Sequence, residues 1–165
     1  MGKTTIPCSR HPAPNAAPFP CFAAPSAKVL VVDDLAANIR LLKDLMGPCG
    51  VKTYVALNGT RAIEMMQKER YDIVFMDMMM PEMGGLETIA RIRALGANDL
   101  ADAESEYFRE VPIVPVSANE LDARDETFAR FGVSNYMAKP IDVEKLFDIL
   151  ERLLPREKII PTHAK

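Results

Sequence analysis

Residues 29–34 read VLVVDD, four apolar residues followed by two acids. A short run that is apolar throughout, rather than alternating, is typical of a strand covered on both faces in a parallel sheet. The pattern then changes, because Ile39, Leu42 and Met46 recur with the period of a helix. The stretch therefore predicts a buried strand that ends in two acids and is followed by a helix.

The same alternation of strand and helix recurs along the chain. Further strands are predicted over residues 53–56, 73–76, 113–116 and 134–137, and further helices over residues 61–68, 86–95, 120–131 and 143–154. Alternating strands and helices imply a parallel sheet with right-handed crossovers. We predict an α/β fold with a doubly wound, five-stranded parallel sheet in the order 2-1-3-4-5, a flavodoxin-like three-layer sandwich.

The length of 165 residues suits one domain. Residues 1–27 are rich in proline and alanine, which predicts a linker or tail. We expect the folded domain over residues 28–154 and a C-terminal tail over residues 155–165. Residues 96–110 are acid-rich and longer than a usual connection. We interpret them as an extension of the third helix, with a partner surface as the alternative.

Composition excludes several classes of function. The net charge of −3, with both signs interspersed, leaves no basic stripe for nucleic acid. No apolar run is long enough to span a membrane, and a signal peptide is not apparent, so membrane insertion is not expected. Three cysteines, Cys8, Cys21 and Cys49, form an odd number without a disulfide framework. This favours a reducing, cytoplasmic location.

Polar residues follow the predicted strands where a ligand site is expected. Asp33 and Asp34 follow the first strand, Asp77 the third, Ser117 the fourth and Lys139 the fifth. In an open parallel sheet, ligands bind beyond the carboxyl ends of the strands, where the strand order reverses. Each residue taken singly has an ordinary explanation, such as capping a helix or starting a turn. Their joint placement indicates a site.

Three carboxylates at neighbouring strand ends repel one another by roughly 4 kcal/mol per pair at a separation of about 4 Å. A cation must offset this repulsion, and Mg²⁺ fits because it prefers oxygen ligands and keeps several waters. Such a site can neutralise a phosphoryl group and the carboxylate that attacks it. Asp77 is then the candidate nucleophile, Ser117 a hydroxyl donor and Lys139 a second positive charge.

Four segments, VLVVDD, IVFMDMMMPEMGG, IVPVSAN and YMAKPID, resemble the landmarks of the receiver domain of two-component response regulators. The resemblance covers about residues 28–154. It implies the fold predicted above and a function as phosphoacceptor, in which Asp77 takes a phosphoryl group from a histidine kinase or a histidine phosphotransfer protein. It also implies Mg²⁺ as the cofactor, and a signalling domain whose only chemistry is its own phosphorylation and dephosphorylation.

The resemblance assigns a role to each motif residue. The metal ligands would be Asp33, Asp34, Asp77 and the backbone carbonyl of Met79. Ser117 and Lys139 would assist the transfer, Tyr136 would turn inward as Ser117 moves toward the phosphate, and the Lys139–Pro140 bond would be cis. Leu35 departs from many relatives, which carry a polar residue after the acidic pair.

Two alternatives differ in kind. A degenerate receiver would act only as a protein-interaction module, although all the expected reactive residues are present. A haloacid dehalogenase-like phosphatase also uses an aspartate nucleophile with Mg²⁺, but it needs a second Asp where this chain has Met79. Whether the chain is a stand-alone regulator or the receiver of a hybrid kinase stays open, with a slight preference for the hybrid kinase.

Overall fold

A computed structural model describes residues 20–97, 102–118 and 126–162. Its main sheet has five parallel strands in the order β2-β1-β3-β4-β5. In chain order they are β1 (Lys28–Val32), β2 (Lys52–Ala56), β3 (Ile73–Asp77), β4 (Ile113–Ser117) and β5 (Met137–Ala138). The predicted fold class and strand order are confirmed.

Six α-helices connect or flank these strands in the described parts of the chain. They are α1 (Ala36–Met46), α2 (Gly59–Lys68), α3 (Gly85–Leu95), α4 (Ala103–Glu110), α5 (Glu126–Arg130) and α6 (Val143–Leu153). Among the described residues, no helix is long and apolar enough to cross a membrane.

The apolar strands serve two separate cores, one on each face of the sheet. Val29 and Val31 of β1 pack into a cluster with α1 and α6, whereas Leu30 and Val32 pack into a cluster with α2 and α3. Successive side chains of a strand point to opposite faces, so a strand in the middle of a three-layer fold must be apolar at every position. This is why VLVV marks a central strand.

The segment after α3 differs from the prediction. The third helix ends at Leu95, and a separate helix, α4, begins at Ala103. The Asp102 side chain accepts a hydrogen bond from the Ser105 amide at 2.6 Å and so caps the new helix. The prediction of an extended third helix was therefore wrong, because the Asp102 cap starts a new helix after the third one ends.

A half-buried arginine connects α4 to its surroundings. The Arg93 guanidinium donates to the backbone carbonyls of Phe108, Val111 and Phe131 at 2.8 to 2.9 Å. Burial lowers the pKa of Arg93 from its ordinary value. The carbonyl oxygens provide the electronegative surroundings that this cation needs away from water.

Two other predicted elements need comment. The fifth strand was predicted over residues 134–137 but lies at Met137–Ala138, because its position is set by pairing with Val116 and Ser117. The fourth predicted helix, residues 120–131, is described only at Glu126–Arg130. Residues 119–125 lie outside the described part of the chain.

Segments on both sides of residues 28–154 join the folded unit. Phe22–Ala23 pairs antiparallel with Ile160–Pro161, and the Thr162 amide donates to the Cys21 carbonyl at 2.9 Å. Phe22 is 2% exposed and belongs to the core beneath α1 and α6. The linker and tail divisions at residues 27 and 155 remain predictions, but the packed region extends beyond both.

Cys49 is a free thiol in the core, and burial raises its pKa to about 12.

Phe22→Ala should lower the free energy of unfolding by about 3 kcal/mol, because the change leaves a cavity in the core. Ile160→Ala, in the strand paired with it but 54% exposed, should cost less than about 1 kcal/mol. Urea denaturation of both variants measures the difference. Equal effects would mean that the N-terminal segment does not pack as described.

Candidate functional site

The site lies where β1 and β3 end side by side. Val32 pairs with Met76, so Asp33 and Asp77 follow at the same level of the sheet. Asp34 comes next in the loop after β1 and is more exposed than Asp33. One carboxylate oxygen from each of Asp33, Asp34 and Asp77 lies within 4.8 Å of the others. The structure thus brings together the three acids that the sequence placed at the strand ends.

Asp77 is a buried acid with a cation beside it. Its side chain is only 4% exposed, and one oxygen accepts a hydrogen bond from Lys139 Nζ at 3.1 Å. Burial raises the pKa of the Asp77 carboxyl above its ordinary value, and the charge of Asp33 acts in the same direction. Hydrogen bonds from Lys139 and from the Met79 amide lower this pKa and only partly offset the burial. Ionisation of the Asp77 carboxyl is therefore less favourable in the folded protein than in water.

Lys139 reaches the acids from the edge strand of the sheet. Its amide donates to the Ser117 carbonyl at 2.7 Å, which fixes the backbone after β5. Its ammonium lies 3.1 Å from Asp77 Oδ1 and 3.4 Å from Asp33 Oδ2. One cation neutralises only one of the two buried carboxylates. The remaining negative charge would be stabilised by a second cation.

Ser117 occupies the end of β4, next to the strand of Asp77. Its side chain is 3% exposed, and Asp77 pairs with Val116 in the sheet. The Lys139–Pro140 peptide bond is cis, as predicted. The Lys139 ammonium lies beside Asp77, and the role of the Ser117 hydroxyl stays a prediction.

Gly85 allows α3 to begin close to the acceptor. A Cβ at this position would clash with the carbonyl oxygen of Asp77 and would lie 2.8 Å from the Cα of Met78. The Gly85 amide also donates to the Met78 carbonyl at 3.2 Å. The sequence pair Gly84-Gly85 carried this signal, because glycine is the residue that permits close backbone approach.

Two sequence-predicted residues lie at the periphery. The Met79 side chain is 72% exposed beside the acids, and the role of its carbonyl as a metal ligand stays a prediction. Tyr136 is half-buried, with Lys145 Nζ 4.4 Å from the centre of its ring. Its inward rotation also stays a prediction.

The sequence reasoning missed one residue beside the acids. Asn38, in the first turn of α1, donates from its side-chain amide to Asp33 Oδ1 at 3.2 Å. The spacing carried a usable signal, because a residue five positions after Asp33 falls in the first turn of the helix that follows β1. A polar residue at position 38, on a largely apolar helix, could have predicted a hydrogen bond from this side chain to the acids.

An acidic cluster fits a magnesium ion because the donor set is entirely oxygen and the carboxylates face one another. A doubly wound α/β sandwich with these acids, a lysine and a hydroxyl at the switch point of its sheet defines the class of phosphoacceptor proteins. The family model for the response regulator receiver domain matches residues 29–151. The chain belongs to this family.

Two curated relatives show that domains similar to this chain occur as a small part of a long kinase and as nearly the whole of a small protein. Probable histidine kinase 1 of Oryza sativa subsp. indica is 29% identical over 150 residues, which cover 78% of this chain but 16% of the kinase. Sporulation initiation phosphotransferase F of Bacillus subtilis is 30% identical over 128 residues, which cover 78% of this chain and 94% of that protein. The chain matches less than a fifth of the length of the first four relatives, all of them histidine kinases.

A solved structure has the same fold. It is the receiver domain of the sensor histidine kinase PA1611 from Pseudomonas aeruginosa PAO1, with a TM-score of 0.63 and 28% identity. The match covers 77% of this chain and 96% of that domain, which was crystallised with a magnesium ion coordinated in its active-site cleft.

Asp77→Asn should raise the melting temperature at pH 7 in metal-free buffer, because it removes a buried charge while its amide oxygen can still accept from Lys139. A raised carboxyl pKa in the folded state means that wild-type stability falls as the pH rises from the ordinary value of 3.8. The gain should therefore shrink as the pH is lowered toward that value. Thermal melts across pH measure it.

Asp148→Asn provides the control, because it removes one charge from an exposed position of α6. The surface change should leave the melting temperature nearly constant. A lower melting temperature for Asp77→Asn than for Asp148→Asn at pH 7 would contradict the view that the acceptor is destabilising when ionised.

Proposed function

We propose that this receiver domain accepts a phosphoryl group on Asp77 from a phosphohistidine of a histidine kinase or a histidine phosphotransfer protein. The observation that carries the proposal is the convergence of Asp33, Asp34 and Asp77 within 4.8 Å, with the Lys139 ammonium 3.1 Å from Asp77. A merely structural set of strand-end acids would have no need to share one small volume at this electrostatic cost.

Each residue has a task in the transfer. A carboxylate oxygen of Asp77 attacks phosphorus, and the bond from phosphorus to the histidine nitrogen breaks as that nitrogen takes the electron pair. Lys139 neutralises charge on the acceptor and the incoming group, and the Ser117 hydroxyl donates to a phosphoryl oxygen. Asp33, Asp34, Asp77 and the Met79 carbonyl would hold Mg²⁺. When bound, this ion supplies positive charge to the phosphoryl oxygens.

The surroundings of the acids favour a protein as the phosphodonor. Three loops at this end of the sheet carry large exposed apolar side chains, namely Leu35 after β1, Leu57 after β2 and Met79 after β3. Exposed apolar side chains that lie near one another often mark a protein-docking surface. We propose that the histidine kinase or histidine phosphotransfer protein docks there. Phosphorylation would then switch a partner-binding face through Ser117 and Tyr136.

The remaining assignments are also proposals. We propose that the domain catalyses only its own phosphorylation and dephosphorylation, and that it works in the cytoplasm. The free thiol of Cys49 supports a reducing compartment.

Incubation with Mg²⁺ and acetyl phosphate should add one phosphoryl group, visible in the intact mass and lost at alkaline pH as expected of an acyl phosphate. Asp77→Asn should stay unmodified. Lys139→Ala should bind Mg²⁺ yet be phosphorylated far more slowly. An unmodified wild-type protein would favour the degenerate receiver, and modification of the Asp77→Asn variant would place the acceptor elsewhere.

The phosphorylated state should be long-lived, because Met79 has no group that can orient a hydrolytic water beside Asp77. Met79→Asn and Met79→Glu should shorten its lifetime several-fold, whereas Met79→Leu should leave it unchanged. Mass spectrometry after removal of the phosphodonor gives the decay rates. Identical lifetimes in all four proteins would show that the side chain at position 79 does not control hydrolysis.

A further inference from the structure

The two oxygens of Asp33 have different partners. Asp33 Oδ1 accepts from the Leu35 amide at 2.8 Å and from Asn38 Nδ2 at 3.2 Å. Asp33 Oδ2 instead faces Lys139 Nζ at 3.4 Å, on the side of Asp77. The carboxylate thus has one oxygen bound to the start of α1 and one directed into the acidic cluster.

This division matters because the terminal torsion of an aspartate is soft. Rotation about its χ2 has broad minima, so an unrestrained carboxylate would present either oxygen to the cluster in many orientations. One hydrogen bond from the Leu35 amide defines a direction, and a second from Asn38 fixes the plane of the group. Asn38 can do this because its own amide donates to the Leu35 carbonyl at 3.0 Å, in the first turn of the helix.

Asn38 is not explained by helix formation. Asparagine is a poor residue inside a helix, because its side chain competes for backbone hydrogen bonds. The residue that caps α1 is Leu35, which makes no side-chain capping bond. The hydrogen bond recorded for the Asn38 side chain goes to Asp33, and so the helix carries an unfavourable residue at the position from which the carboxylate can be reached.

We propose that Asn38 is a positioning residue for the metal site: it holds Asp33 Oδ1 so that Asp33 Oδ2 points toward the divalent ion shared with Asp34 and Asp77. This inference rests on the proposed phosphoacceptor function. Asn38 acts through Asp33 and need not touch the ion or the phosphoryl group. Outer hydrogen bonds of this kind orient metal ligands and contribute substantially to metal affinity.

Isothermal titration calorimetry with MgCl₂ tests the proposal. Asn38→Ala should weaken Mg²⁺ binding by about tenfold, the lower end of the effects typical of such outer contacts. Its melting temperature in metal-free buffer should be unchanged or higher, because alanine favours the helix. Phosphorylation by acetyl phosphate should be slow at low Mg²⁺ and return close to the wild-type rate at saturating Mg²⁺.

Asn58→Ala is the matched control. The Asn58 side chain accepts from the Arg61 amide at 2.8 Å and caps α2 after β2, so this hydrogen bond goes to a helix and not to an acid of the cluster. Its loss should reduce stability by about 1 kcal/mol and leave Mg²⁺ affinity at the wild-type value. Asn38→Gln, which keeps a donor on a longer arm, should recover part of the lost affinity.

The possible outcomes distinguish the role of Asn38 from the proposed phosphoacceptor function. If the wild-type protein binds Mg²⁺ and the Asn38→Ala variant binds it with the same affinity, the role of Asn38 is overturned and the proposed function stays intact. Equal weakening in Asn38→Ala and Asn58→Ala would also overturn it, because general destabilisation would then suffice. Failure of the wild-type protein to bind Mg²⁺ would overturn both.

Discussion

Mutual repulsion among Asp33, Asp34 and Asp77 is the constraint around which this end of the molecule is organised. Parallel strands β1 and β3 pair in register and end at one level, so the acids that follow them cannot separate without breaking the sheet. Burial raises the pKa of Asp77, and the hydrogen bond from Lys139 only partly offsets this effect. Because the fold holds the three carboxylates together despite their repulsion, it provides a site that can stabilise a cation and, with it, a phosphoryl group.

The rest of the fold holds these groups in place. Two cores, one on each face, fix the strands, and the edge strand β5 brings the Lys139 ammonium to the acids through pairing with β4. Gly85 lets α3 start against the acceptor strand, and Asn38 ties Asp33 to α1. These contacts come from different strand-helix units, so the site exists only when β1, β3, β4 and β5 have assembled with their helices.

Much of this architecture could be predicted from the sequence. The strands VLVV and IVFM are apolar at every position, which only a central strand in a layered fold requires. The acids after them marked the site because parallel strands end at a common edge. The order of strands and the placement of Asp77, Ser117 and Lys139 followed from the same reasoning together with the family resemblance.

What could not be predicted depended on contacts between distant segments. The start of β5 is set by its pairing with β4, which local sequence does not encode. The separate helix α4 is held by Arg93 through backbone carbonyls, and the packing of Phe22 with the C-terminal strand joins residues at opposite ends of the chain. Asn38 escaped notice because its importance lies in the direction of one hydrogen bond to Asp33.

The central claim is that the three carboxylates share one divalent ion. Crystals grown with MnCl₂ and measured at the manganese absorption edge test it most directly. The account predicts a single strong anomalous peak in contact with oxygens of Asp33, Asp34 and Asp77 and beside the Met79 carbonyl. A map without a peak there, or carboxylates turned away from one another, would contradict it.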